Sequence, residues 1–200
     1  MNMKVKHNRD RIVAYHEAGH IASAIYFGLP IGRVTIIASK AANGAVSIPQ
    51  IKAHKMQEQE VGAGVLSAKA FNRLTNEIIS TYAGQYALRR LGVRDWKVGA
   101  HSDDANAADI ADHMFSEDGD ACIDAFLKWC RLKTEALMSL PTMWQNVELI
   151  ANLLIAEKKA SAKRVREVIA ADARERINAS APKVRIKYIR IKDHAALPEQ

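Results

Sequence analysis

Two histidines four residues apart, His16 and His20, enclose Glu17 in the pattern H-E-x-x-H. The pattern lies in a run, residues 11–25, that we predict to be helical. Side chains four residues apart share one face of a helix and lie one turn apart, so both imidazoles could bind one Zn²⁺. In such sites the glutamate takes a proton from a water activated by the metal. We therefore predict His16 and His20 as zinc ligands and Glu17 as the general base, the alternative being a chance match.

A catalytic zinc needs a third protein ligand and an open coordination position. The metzincin pattern would continue with a glycine and a histidine, but Ser23 and Tyr26 stand at those places, which excludes that class. Two carboxylates remain as candidates. Glu77 lies in a segment similar to the N-E-x-x-S of thermolysin-like enzymes, and Asp103 lies at the start of a predicted helix, where a carboxylate is electrostatically favoured.

Apolar periodicity, capping residues and turn signals predict a mainly α chain with a small β element. A hairpin of strands 33–38 and 45–48 around Asn43-Gly44 would follow the histidine helix, and its edge could hold an extended peptide beside the metal. Residues 51–64 are predicted to form a loop, and 184–191 a strand. The further helices are predicted at 67–91, from the N-cap Ser102 to 115, from 120 to 137, at 141–154, and from the cap Ser161 to 177. We expect one domain over residues 1–180 and a basic tail over 181–200.

The net charge of +7 is concentrated at the C-terminal end, where residues 157–200 hold twelve Lys or Arg against six Asp or Glu. Such an end can bind nucleic acid, but without interleaved aromatic residues we favour a solvated surface. There is no apolar signal region at the N-terminus and no apolar run long enough to span a bilayer, which predicts a cytoplasmic protein. Cys122 and Cys130 are predicted to be buried free thiols on one helix face.

Five segments of the chain share a pattern with one known family. They are Ala14-Tyr-His-Glu-Ala-Gly-His20, Val34-Thr-Ile36, Ile79-Ser-Thr-Tyr-Ala-Gly84, Gly99-Ala-His-Ser-Asp103 and Trp144 to Leu154. Together they resemble the peptidase domain of the FtsH family, the ATP-dependent zinc metalloproteases of bacterial and organellar membranes. The resemblance covers roughly residues 10–172, and its first and fourth segments are the more specific ones.

The resemblance implies a zincin-like peptidase fold in which Asp103 is the third zinc ligand. Glu77 falls at a glutamine position of the family and stays the second candidate. Asp104 is adjacent to Asp103, so the assignment could be one residue off. His101 replaces a small residue. It is a spare ligand, a residue that hydrogen bonds to a metal ligand or, as we favour, a surface histidine.

The function implied is zinc-dependent hydrolysis of peptide bonds in flexible or unfolded polypeptides. No G-x-x-x-x-G-K-[ST] loop is present, so we expect no ATP binding, and the family's membrane anchor is missing. The resemblance leaves open a homo-oligomer and a separate unfoldase partner. The alternative is a non-proteolytic regulator with a structural or relic zinc site, which binds nucleic acid or protein through its basic end.

Overall fold

The computed structural model describes residues 9–37, 45–46, 66–94, 96, 101–115 and 117–180. The described residues are mainly helical, as predicted. Their elements are α1 (Arg9–Tyr26), β1 (Val34–Thr35), β2 (Ala45–Val46), α2 (Ala68–Leu91), α3 (His101–Met114), α4 (Asp120–Ser139), α5 (Pro141–Glu157), β3 (Lys159–Ala160) and α6 (Ala162–Ser180).

Helix α1 is the centre of the core, packed between α2 on one side and α5 on another. Burial on several faces explains why its apolar residues do not form a single stripe. Fully buried Ala14, Ala18 and Ile21 lie along it. The polar residues Glu17, His20 and Ser23 are buried on it as well. Buried polar groups need partners, so this helix must present them to a polar site.

Three short strands form a sheet in the order β2-β1-β3, with both pairings antiparallel. Val34 pairs with Val46, so the two predicted hairpin segments are paired antiparallel, and Val34 pairs with Ala160 on the other side. The first strand is shorter than predicted, because Ile36 and Ile37 are not part of it. Strand β3 was not predicted, because two residues between two helices carry no periodic signal. Lys158, with φ 60°, turns the chain from α5 into β3, and its Nζ lies 2.9 Å from the Asp10 carboxylate at the start of α1.

Most helix boundaries lie close to the predicted ones. Ser67 caps α2 by accepting a hydrogen bond from the backbone N–H of Ala70, and Ser161 accepts one from Arg164 at the start of α6. The prediction of Ser102 as an N-cap was wrong, because α3 already begins at His101. Of the two cysteines, Cys130 is buried but Cys122 is exposed, so the prediction for Cys122 was also wrong.

Several predicted features lie outside the described residues: the Asn43-Gly44 turn, the loop at 51–64, the strand at 184–191 and the tail at 181–200. Within the described part of the chain, none of the helices combines the length and the apolar character needed to cross a membrane.

Candidate metal centre

The two histidines of α1 face each other across one turn of the helix. Their Nε2 atoms are 3.1 Å apart, and the rings meet edge to face with centroids 4.6 Å apart. The four-residue spacing produces this arrangement, since it places both side chains on one face. The predicted pairing of His16 with His20 is therefore present in the structure.

Helix α3 brings a carboxylate to the same point. The Oδ2 atom of Asp103 lies 3.4 Å from Nε2 of His16 and 3.6 Å from Nε2 of His20. This oxygen is buried and has no hydrogen-bond partner within the described residues. A buried carboxylate oxygen without a partner is unfavourable, and a cation at the centre of the three atoms would remove that penalty.

These three side chains form a group that could hold a metal ion. Two imidazole nitrogens and one carboxylate oxygen suit a divalent ion of the first transition series. Among the described residues, neither Glu77 nor Asp104 nor His101 belongs to such a group. Of the candidate third ligands, Asp103 is thus the one that the structure brings to the two histidines.

A backbone carbonyl of α2 fixes the ring of His20. Nδ1 of His20 lies 2.9 Å from the carbonyl oxygen of Ser80, to which it donates. The ring proton is then on Nδ1, so the lone pair on Nε2 is directed at the candidate site. Hydrogen bonds made by the ring nitrogen that does not face the metal orient metal-binding histidines in many proteins. The Ser80 hydroxyl is itself 3.1 Å from that of Ser23 on α1, which joins the two helices beside the site.

Burial at this centre disfavours charge on its side chains when no cation is present. It lowers the pKa of His16 to about 3, with the neighbouring His20 as a second cause, while the Gly84 backbone opposes the shift. Burial also raises the pKa of Asp103, against the attraction of His20. At neutral pH His16 is therefore neutral. Its contact with Asp103 is not an ion pair, and its imidazole is in the form that binds metals.

A glycine of α2 leaves the room in which the two rings stand. A Cβ built on Gly84 would lie 2.5 Å from Nε2 of His20 and 2.8 Å from Cε1 of His16. Side-chain Cβ atoms do not approach other atoms this closely, so any larger residue would displace the rings. Gly84 stands at the end of the Ile79–Gly84 segment that carries the family resemblance, but the sequence indicated no role for it.

The remaining predicted residues lie on the same three helices, α1, α2 and α3. Glu17 is buried, with 7% of its surface exposed, on the same helix as the two histidines. Glu77 is buried on α2, and burial raises its pKa against the opposing charge of Arg73. His101 is exposed at the start of α3. Asp104 bonds to residues of two other helices, Gln85 and Arg131.

Compared with protein-family models and with curated proteins, the sequence matches none. The centre is therefore defined by its own geometry: a two-histidine, one-carboxylate group on two helices, with a buried glutamate beside one histidine in the chain.

Proposed function

We propose that this protein is a zinc metalloendopeptidase with an FtsH-type, zincin-like peptidase domain. The observation that carries the proposal is the convergence of His16, His20 and Asp103. This set is the one implied by the sequence resemblance, and it joins residues that are far apart in the chain. The buried Glu17 completes the set of groups that peptide hydrolysis of this type requires.

The spacing of the three ligand atoms supports zinc. Atoms bound at about 2.0–2.2 Å in tetrahedral directions lie about 3.3–3.6 Å from each other. The corresponding separations here are 3.1, 3.4 and 3.6 Å. Zinc could therefore be held by all three side chains with little rearrangement.

The number of ligands favours a catalytic over a structural metal. Structural zinc is usually enclosed by four protein side chains, whereas catalytic zinc has three and an open position. Within the described residues the group has three members. Zinc in such a position acts as a Lewis acid that polarises a carbonyl group and acidifies water.

The chain's own residues would perform the proton transfers. Glu17 adjoins His16 in the sequence and is buried, so water solvates its carboxylate only weakly. It would accept the proton of the attacking water and return it to the leaving amine, as a general base and then a general acid. The Ser80 carbonyl would hold His20 in its orientation throughout.

The substrate we propose is a flexible polypeptide. Strand β2 is at the edge of the small sheet and packs against α1. An extended peptide could add to such an edge by backbone hydrogen bonds, which a folded substrate could not do without local unfolding. We propose hydrolysis without ATP, with folded proteins cleaved only when a separate unfoldase delivers them. A homo-oligomer is part of the same proposal, by analogy with the family.

The test combines zinc content with cleavage of casein by the full chain. Glu17→Gln should retain about one zinc per chain and lose at least about 100-fold in rate, because an amide cannot accept the proton. Glu167→Gln is the control for the same chemical change. That glutamate is exposed on α6 and pairs with Lys163 at 3.9 Å. This variant should keep both zinc and activity.

Two results would count against this function. Cleavage by Glu17→Gln at the wild-type rate would exclude the proposed role of the glutamate. Failure of the zinc-loaded wild type to cleave any unfolded substrate would favour the non-proteolytic regulator. In that case binding through the basic end should weaken steeply with increasing salt if the partner is a nucleic acid.

A further inference from the structure

The residue that follows Asp103 is held by two other helices. Oδ1 of Asp104 lies 3.4 Å from Nε2 of Gln85 on α2, which donates to it, and 3.5 Å from a guanidinium nitrogen of Arg131 on α4. A single carboxylate oxygen thus links the first turn of α3 to both neighbouring helices. The contact lies one residue away from the carboxylate of the metal group.

Arg131 is itself fixed by a stacking contact. Its guanidinium carbon lies 4.7 Å from the centroid of the Tyr82 ring, within the range of cation–π attraction. Tyr82 is fully buried on α2, one turn before Gln85. The contact with Tyr82 therefore restrains the Arg131 side chain that pairs with Asp104.

Apolar packing at the start of α3 is weak by comparison. The fully buried residues of this helix are Ala107 and Ala111, whose methyl groups offer little resistance to sliding or rotation. Ile110 and Met114 are partly buried, but they lie in the second half of the helix. The first turn has a polar anchor instead. Successive helical residues point about 100° apart, so fixing Asp104 also fixes the direction of Asp103.

We propose that Gln85, Asp104 and Arg131 form a positioning clamp that sets the carboxylate of Asp103 at the metal group. The inference rests on the metal site of the proposed function, but not on proteolysis. The clamp residues are positioning residues, because they hold Asp104 and act on Asp103 through the backbone of α3. Their effect should therefore appear in metal affinity before it appears in stability.

The test measures zinc affinity by competition with a chromophoric chelator. Arg131→Met should weaken zinc binding about tenfold. This is the lower end of the loss in metal affinity usually caused by mutating residues that support metal ligands. Arg89→Met is the matched control: Arg89 pairs with Glu135 at 2.8 Å, which joins the same two helices, α2 and α4, with similar exposure. The control should bind zinc within about twofold of wild type, since that pair does not involve α3.

A double-mutant cycle separates positioning from general destabilisation. Asp103→Ala removes the ligand that the clamp is proposed to set, so adding Arg131→Met to Asp103→Ala should cause no further loss of affinity. Cobalt substitution gives a spectroscopic readout. The visible bands of the Arg131→Met protein should shift towards those of Asp103→Ala, while Arg89→Met should keep the wild-type spectrum.

Equal zinc affinity of wild type and Arg131→Met would overturn the clamp while leaving the metal site intact. Equal losses from Arg131→Met with and without Asp103 would also overturn it, because the effect would then not pass through Asp103. Absence of zinc binding by the wild type would overturn the metal site and the clamp together. If Arg131→Met fails to fold by circular dichroism, Gln85→Leu provides the second variant, with the same expected loss.

Discussion

Gly84 stands against the imidazole of His20 so closely that a Cβ built on it would lie 2.5 Å from Nε2. The atoms in its way belong to the two histidine side chains rather than to backbone. Rotation of the rings would relieve the clash, and we expect it to displace the nitrogen atoms of the candidate site. The glycine therefore controls the space at the metal centre more than the stability of the helix.

We predict that Gly84→Ala weakens zinc binding by at least about tenfold. A loss of this size is typical when a residue that supports a metal ligand is mutated. The free energy of unfolding of the zinc-free protein should change less than the free energy of zinc binding. The reason is that Ala is the better helix former by up to about 1 kcal/mol, which offsets part of the clash. Chelator competition and urea unfolding of the chelated protein measure the two effects. Wild-type zinc affinity in this variant would contradict the assignment of the site.

For Gly19 we predict the reverse of Gly84: substitution should affect the stability of the protein more than its zinc affinity. A Cβ there would lie 2.5 Å from the carbonyl oxygen of Ala83 and 2.9 Å from Cβ of Ala87. These are atoms of the α2 backbone and of a short side chain, which cannot rotate away, so α1 and α2 must separate. Gly19→Ala should lower the free energy of unfolding of the chelated protein by about 1–3 kcal/mol, the usual cost of overpacking. An increase in stability, the ordinary result of replacing a helical glycine by alanine, would refute the close approach of these helices.

The pKa of His16 predicts how the zinc-free protein responds to acid. Its pKa is about 3 in the folded state against 6.5 in the absence of interactions. Between these values the unfolded chain binds a proton at this residue and the folded chain does not. The free energy of unfolding should therefore fall as the pH is lowered from about 6.5 towards 3, by up to about 1.4 kcal/mol per pH unit.

Urea unfolding of the chelated protein at pH 7, 6, 5 and 4 measures this slope, with His16→Gln as the comparison. Asp103 contributes with the opposite sign, because its raised pKa makes the folded state bind protons more readily. The difference between wild type and His16→Gln isolates the histidine. If the two proteins lose stability in parallel as the pH falls, His16 is not buried in its neutral form.

Much of the secondary structure could be predicted because its signals are local. Ser67 and Ser161 cap helices through bonds to residues three positions on, so the sequence near each helix start contains the necessary information. Ser102 has the same chemistry, yet α3 starts before it. A local capping preference therefore does not by itself fix the residue at which a helix begins.

Burial was harder to predict than helix formation. Cys122 and Cys130 stand on one helix, but Cys130 is fully buried in the core. Cys122, near the start of α4, is exposed. Helical spacing gives the angle of a side chain about the helix axis but not how far along that axis a neighbouring helix extends.

The pairing of His16 with His20 follows from their spacing alone, since the pitch of an α-helix places residues four apart on one face wherever the helix lies. The sequence left Glu77 and Asp103 as rival carboxylates, and only the tertiary structure brings Asp103 of α3 to the histidines. The space beside Gly84, the Ser80 carbonyl that orients His20, and the contacts of Asp104 also depend on how helices remote in the chain pack together. Such contacts are set by the shape and volume of many side chains at once, which a local pattern of residues does not encode.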